Sequence, residues 1–314
     1  MRNICVIGSL NIDLVATVER FPKPGETITG KDFSTFTGGK GANQAVALGR
    51  LGAKVEMIGK VGDDFYGKKY LKVVEDNGVK TRGINVDPGF STGVALIEVD
   101  RSGNNHIVVI PGANGKVDID FINLRLDYIL ENDIFLFQLE IPLDTVEYCI
   151  KKIKEIEQVS HREKIIILDP APAVPLKDEL LKYVDYITPN ETEIEILTGV
   201  RISNEDDIKK AACLLLSRGV KTVIAKAGGN GAYIVEQNKF VHAPAPKVNV
   251  VDTTAAGDSF NAGFAFSLSQ DIDLIESVRF ANAVAALSVT AKGAQEAMPN
   301  MIQVRDFIEK TGCI

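Results

Sequence analysis

Short runs of β-branched and aliphatic residues alternate with longer amphipathic stretches along most of this chain, and that alternation restricts the fold more than any other feature. Ile4–Ile7, Glu56–Val61, Ile134–Gln138, Ile165–Leu168, Tyr186–Thr188 and Thr222–Ala225 read as strands buried on both faces. Phe65–Asn77, Leu143–Ile156, Asp206–Arg218 and Leu274–Thr290 lie among them with apolar residues at helical spacing. Strand–helix alternation of this kind gives a parallel sheet with helices on both faces. The expected fold class is therefore α/β: a three-layer α/β/α domain with a mostly parallel central sheet.

Two segments interrupt the alternation. Residues 14–36 start like a strand and then turn at Pro22-Lys23-Pro24-Gly25, and residues 92–111 read as a hairpin joined by Asp100–Asn104. No internal repeat or long linker separates them from the rest. The expectation is one domain over residues 1–314, with a small β-sheet lid inserted at about 14–36 and 92–111. Apolar residues stand side by side in Val94–Ile97 and Ile107–Ile110, and successive strand residues face opposite ways. Such a lid is apolar on both faces, one free to cover a site and the other to meet a second copy in a homodimer.

Composition narrows the partners. Lys+Arg 35 against Asp+Glu 42 leaves 35 − 42 = −7, with no basic excess to neutralise a nucleic acid. Cys5, Cys149, Cys213 and Cys313 are far apart and make neither a disulfide framework nor a zinc pattern. No apolar run reaches membrane-spanning length, and the first residues lack the apolar core of a signal peptide. A cytoplasmic protein with no nucleic-acid or membrane partner is expected.

The chemistry gathers in loops that follow strands. In Val250–Phe260, apolar residues are followed by Thr253-Thr254-Ala255-Ala256-Gly257 and then by Asp258 at the start of a helix. Small side chains let backbone N–H groups converge, and a helix amino terminus favours an anion. Asp258 stands where a carboxylate can take a proton from an attacking hydroxyl, although an Asp here also serves as an ordinary helix N-cap. Thr37–Ala45 packs Gly38, Gly39 and Gly41 around Lys40, ahead of a helix over Ala42–Leu51. This is not a Walker A loop; Lys40 and Asn43 suit the hydroxyls of a small polar substrate, while the bland reading is a glycine-rich turn. Further polar clusters follow other strands, at Gly8–Asp13, Glu140, Thr188–Glu193 and Lys226–Gly231. That is the edge where open α/β sheets bind ligands.

Val6–Asp13, Gly38–Gln44, Thr188–Glu193 and Asp252–Asp258 stand in the order of the motifs of the ribokinase family of carbohydrate kinases and resemble them, and the likeness spans essentially the whole chain. The resemblance implies ATP-dependent phosphorylation of D-ribose on its 5-hydroxyl. It implies Asp258 as the base, with Ala255, Ala256 and Gly257 forming an anion hole. Asn11, Asp13, Gly39, Lys40, Asn43 and Glu140 would hold the sugar. Asn190, Lys226, Gly228, Gly231, Gly257 and Asn282 would hold ATP, with Mg²⁺ near Asn190 and Glu193. An activating K⁺ would lie near Asp252, Thr254, Ser288, Ala291, Gly293 and Ala297. The chain departs from the family pattern at Lys226-Ala227, where Thr-Leu is common, and at Asn282, where His is common. Its histidines, His106, His161 and His242, match no family site. The alternatives are a kinase for another sugar or a nucleoside, and a non-catalytic sugar- or nucleotide-binding regulator.

Overall fold

The computed structural model describes residues 1–313. The strands are β1 (Ile4–Ile7), β2 (Asn11–Thr17), β3 (Asp32–Gly38), β4 (Val55–Gly62), β5 (Lys80–Asp87), β6 (Gly93–Val99), β7 (Asn105–Ile110), β8 (Ile134–Phe137), β9 (Ile165–Leu168), β10 (Tyr186–Ile187), β11 (Thr222–Lys226), β12 (Ala232–Glu236) and β13 (Lys239–Ala243). The helices are α1 (Lys40–Arg50), α2 (Phe65–Asp76), α3 (Ile119–Asn123), α4 (Leu126–Ile129), α5 (Leu143–Ser160), α6 (Asp178–Leu181), α7 (Glu191–Thr198), α8 (Glu205–Ser217), α9 (Ala256–Ser269), α10 (Leu274–Ser288) and α11 (Met301–Thr311).

Nine strands form the central sheet in the order β13-β12-β11-β10-β9-β8-β1-β4-β5. Pairing is parallel from β5 to β11 and antiparallel at β11–β12 and β12–β13. Alternate residues of β1 explain the three layers. Ile4 and Val6 enter a core shared with α1, α2, α9, α10 and α11, while Cys5 and Ile7 enter a second core with α3 to α8. Strands β1 and β8 are buried throughout and are continuous apolar runs, whereas β4, also buried throughout, carries Glu56 and Lys60, whose charges pair with Arg82 and Asp87. Edge strand β5 mixes charged and apolar residues because it is covered less completely. The alternation alone gave no expectation for β5 or for the β12–β13 hairpin.

Four strands form the small sheet in the order β3-β2-β6-β7. Its first two strands reach beyond 14–36: β2 starts at Asn11 and β3 ends at Gly38, and these two residues pair with each other. The small sheet thus grows directly out of the turn after β1. Helix α1 begins at Lys40 rather than Ala42, because its N-cap Gly39 takes φ 85 and turns the chain at once. A Cβ on Gly39 would stand 2.6 Å from the Asn11 nitrogen, and one on Gly41 would stand 2.6 Å from the Ser9 nitrogen. Glycine therefore lets the start of α1 lie against the β1–β2 turn.

Among the described residues, no helix is long and apolar enough to cross a membrane.

Candidate active site

The polar clusters lie at the carboxyl ends of adjacent strands: Gly8–Asn11 after β1, Gln138–Glu140 after β8, Asp169 after β9, Asn190 after β10, and the loop after β11. The order reverses beside β1, where the chain leaves for β4 on one side and β8 on the other, and a crevice opens at such a point. Helix α9 aims its amino terminus into it. Its N-cap, Ala255, sits at φ 58, an uncommon conformation for a residue with a Cβ. The Ala256 N–H turns back to the Thr253 carbonyl at 3.2 Å. Among the described residues, the N–H groups of Ala255, Gly257 and Asp258 have no such partner, and these are the donors a helix start offers to an anion.

Asp258 is buried in the first turn of α9. Its Oδ1 accepts from Gln44 Nε2 at 3.1 Å and its Oδ2 from Asn43 Nδ2 at 3.0 Å. Burial pushes its carboxyl up to about 6; Asp169 adds to that, while Lys40 and the two amide donors oppose it. Asp258 is therefore not the helix N-cap, and its lone pairs are directed inward.

Of the residues assigned to the sugar, Asn43 holds that carboxylate, and Lys40 and Asp13 lie near enough for their charges to act on it. Lys40, Asn43 and Gln44 come from α1, Asn11 and Asp13 from β2, and Glu140 from the loop after β8. Glu140 Oε2 accepts from the Lys40 backbone N–H at 3.0 Å and from the Ser9 hydroxyl. Asn11 Oδ1 accepts from Asn114 Nδ2 at 2.7 Å, and Asn114 also bonds both backbone groups of Leu10. The Asp13 carboxylate covers Gly38 so closely that a Cβ there would collide with it. Burial raises the Asp13 carboxyl to about 7, with Glu140, Glu296 and Asp258 adding to the shift and Lys40 opposing it. Burial works against the charge on the Lys40 ammonium, but Asp258, Asp169, Glu140 and Glu193 outweigh it and hold its pKa above the usual lysine value.

On the other side of Asp258 opens a cleft of about 680 Å³, the size of a small-molecule site. Asn190, Glu193, Lys226, Gly228, Gly231, Gly257 and Asn282 all line it, and Lys40 and Asp258 stand on its border. Val250, Ala285, Ala286 and Val289 give one wall an apolar surface fit for a planar base. Asn282 spends its amide on the Ala243 carbonyl at 2.9 Å. Asn190 and Glu193 form a capping box at the start of α7, each side chain bonding the other's backbone N–H.

Of the residues assigned to a monovalent cation, Asp252, Thr254 and Gly293 are bonded to one another. Asp252 Oδ1 accepts from the Thr254 N–H and hydroxyl at 2.9 and 2.7 Å, and Oδ2 from the Gly293 N–H at 3.0 Å. Burial works to raise the Asp252 carboxyl, but these three donors outweigh it and hold it below the usual carboxylate value. Asp252 thereby ties the loop before α9 to the loop after α10, which carries Ala291, Gly293 and Ala297 and follows directly on Ser288, the last residue of α10.

Several partners were not singled out from the sequence. Asp169 is buried, accepts from Gln44 Nε2 at 3.0 Å and pairs with Lys226 Nζ at 3.0 Å. Its signal was available, since it follows a buried strand at the same edge as the other clusters. Gln44 lay inside the glycine motif without a role. Gln138 closes a strand read from the sequence but was given no role, while Asn114 and Gln295 carry no local pattern and enter the site only through long-range packing.

Comparison with known proteins places the chain in a family. The model of the pfkB family carbohydrate kinases matches residues 1–301. A ribokinase from Haemophilus influenzae is 41% identical over 309 residues, covering 98% of this chain and 99% of its own. The crystal structure of a ribokinase from Thermotoga maritima superposes with a TM-score of 0.89 at 40% identity, covering 98% of this chain and 100% of that one. A ribokinase from Arabidopsis thaliana, complexed with ribose and ATP, gives a TM-score of 0.89 at 33% identity, covering 98% and 99%. The chain belongs to the pfkB family of carbohydrate kinases. It is a sugar kinase with the three-layer fold and small accessory sheet expected from its sequence.

The buried Lys226–Asp169 pair yields a stability prediction. Lys226→Met leaves Asp169 buried without its counter-charge and should lower the unfolding free energy by roughly 3 kcal/mol. Adding Asp169→Asn should regain most of the loss in urea-induced unfolding. A double variant no more stable than Lys226→Met would refute the pairing.

Proposed function

We propose that this protein transfers the γ-phosphoryl group of ATP to the 5-hydroxyl of D-ribose, giving ribose 5-phosphate and ADP. The arrangement of Asp258 carries this reading. Its carboxylate lies between the polar sugar-side residues and the nucleotide-sized cleft, next to the open N–H groups of Gly257 and its own backbone. Asp258 accepts the hydroxyl proton as the sugar oxygen bonds to the γ-phosphorus and the bond to the ADP oxygen breaks. The N–H groups at the start of α9 and the Lys40 ammonium stabilise the charge on the transferring group, and do so strongly because the site is shielded from water. Asn11, Asp13, Asn43 and Glu140 offer the paired acceptors and donors that distinguish one set of sugar hydroxyls from another.

Mg²⁺ would be held beside Asn190 and Glu193 together with the nucleotide phosphates. Oxygen donors with a single carboxylate match the way Mg²⁺ is usually bound. When bound, it would neutralise charge on the phosphates. K⁺ would be held by Asp252 and by backbone carbonyls of the loops before α9 and after α10. An oxygen-only set of low charge suits a large monovalent ion, which would keep those loops in shape.

The small sheet supports both a lid and a contact between two copies. Ile107, Val108 and Val109 on β7 are each at least half exposed, although neighbouring residues face opposite ways. Among the described residues, nothing covers either face of β7. Soluble proteins seldom leave such a surface open unless it is an interface, and a two-fold lid-to-lid dimer would bury it.

Asp258→Asn should reduce kcat for ribose phosphorylation by about 10²–10⁴-fold in an assay of ADP release over a panel of sugars and nucleosides. Both of its hydrogen-bond partners are N–H donors, so the new amide faces one of them nitrogen to nitrogen, and Tm should also fall. A variant retaining more than about a third of wild-type kcat would remove Asp258 from the base role. The wild-type rate should decline as pH falls through about 7 to 6, because Asp13 and then Asp258 gain protons and Asp258 can act as a base only when ionised.

Exchanging K⁺ for Na⁺ at constant ionic strength should slow turnover, and Asp252→Ala should abolish the difference between the two ions. Equal rates in K⁺ and Na⁺ for the wild type would argue against the cation site.

Light scattering at micromolar concentration should give twice the chain mass, and Val108→Asp should shift it toward the monomer. A monomeric wild type with full activity would exclude the dimer.

A further inference from the structure

The two amides that hold Asp258 are useful to a base only if their N–H sides, not their oxygens, face it. An amide can rotate by half a turn within the same volume, so something else must set the orientation of Asn43. Gln295 is buried after α10, far along the chain from α1. Its Nε2 donates to Asn43 Oδ1 at 3.0 Å and to the Tyr70 hydroxyl oxygen at 2.8 Å, and its Oε1 accepts from Thr37 Oγ at 2.8 Å.

The directions follow from the far end of this chain. The Tyr70 hydroxyl donates to the Gly38 carbonyl, which can only accept. Its proton is thereby used, so its oxygen must receive one from Gln295. That places the Gln295 nitrogen toward Tyr70 and Asn43, makes Asn43 Oδ1 the acceptor, and leaves Asn43 Nδ2 to face Asp258. The second relay ends differently. Gln44 is oriented by Gln138 Nε2 at 2.6 Å, but Gln138 Oε1 has no partner among the described residues. Only the relay through Gln295, of these two, is anchored to the main chain.

We propose that Gln295 is a positioning residue for phosphoryl transfer, locking the Asn43 amide with its N–H toward the base. The assignment rests on the proposed role of Asp258 but involves no contact between Gln295 and substrate. Gln295 also lies two residues beyond Gly293, whose N–H is held by Asp252. The loop that carries the candidate cation residues is thus linked, through Gln295 and Asn43, to the base.

Gln295→Met keeps the length and burial of the side chain while removing both donor and acceptor. Without the lock, Asp258 loses its Asn43 donor for part of the time and holds its proton more tightly. Lys40, Asp169 and Asp13, the charged groups that also face it, are left in place. The acid limb of kcat/KM for ribose should move upward by about one pH unit. Thr37→Val removes only the bond to Gln295 Oε1 and should leave that limb within about 0.3 unit, although it disturbs the same buried patch. The Asp258 carboxyl signal in ¹³C NMR, assigned by its loss in Asp258→Asn, should show the same two shifts without turnover. If the wild type forms no ADP with ribose, the functional reading fails while this titration still tests the relay. Should Gln295→Met not fold, the wild type suffices: the side-chain NH₂ signals of both Asn43 and Gln295 should move as Asp258 titrates. An unmoved limb in Gln295→Met, equal shifts in the two variants, or Gln295 signals indifferent to that titration would each overturn the proposal.

Discussion

Strands buried on both faces have no water to satisfy their backbone groups, so every N–H and C=O in them must find a neighbouring strand. In this protein the parallel part of the sheet runs unbroken from β5 to β11. Parallel pairing then sends the chain back along the helical layers before each new strand, and all the carboxyl ends arrive at one edge. Residues as distant as Asn11, Glu140, Asp169, Asn190 and Lys226 become neighbours for that reason alone. The small sheet is part of the same arrangement, because β2 and β3 extend from the turn after β1 and from the glycines that precede α1.

That edge concentrates charge where little water reaches it. Lys40 and Lys226 are interleaved with Asp169, Asp258, Asp13, Glu140 and Glu193, and the balance differs from group to group. Asp13 and Asp258 are pushed upward, chiefly by burial, while Asp252 is held down by three donors. Amide side chains fill the gaps, and their value depends on which end faces the carboxylate. The orientation of Asn43 traces back through Gln295 and Tyr70 to a main-chain carbonyl, so the core packing of α2 bears on the base of the reaction.

The parts legible in the sequence were those with a local signature. Ile4–Ile7 and Ile165–Leu168 read as strands because a strand buried on both faces is a continuous apolar run. Gly38, Gly39 and Gly41 announced close approach because side chains there would strike the backbone or Asp13. Asp258 was legible from the small residues that precede it at a helix start. Edge strand β5 was not, since partial exposure lets it mix polar and apolar residues. Gln295 was not either, because a glutamine in a loop has no periodicity and no fixed partner until the fold supplies one.

By itself the sequence determined the layer architecture, the family, the loops that gather at the site and the residue types available there. These depend on contacts within a few residues, or on burial patterns repeated along the chain. Only the tertiary structure decided that Asp169 pairs with Lys226, that Asp258 is clasped by two amides rather than capping its helix, and that Gln295 stands behind Asn43. Those relations join residues 57, 214 or 252 positions apart. A hydrogen bond at such a separation exists only after the sheet has closed the intervening loops, and its direction is set by the last group in the network rather than by either residue it joins.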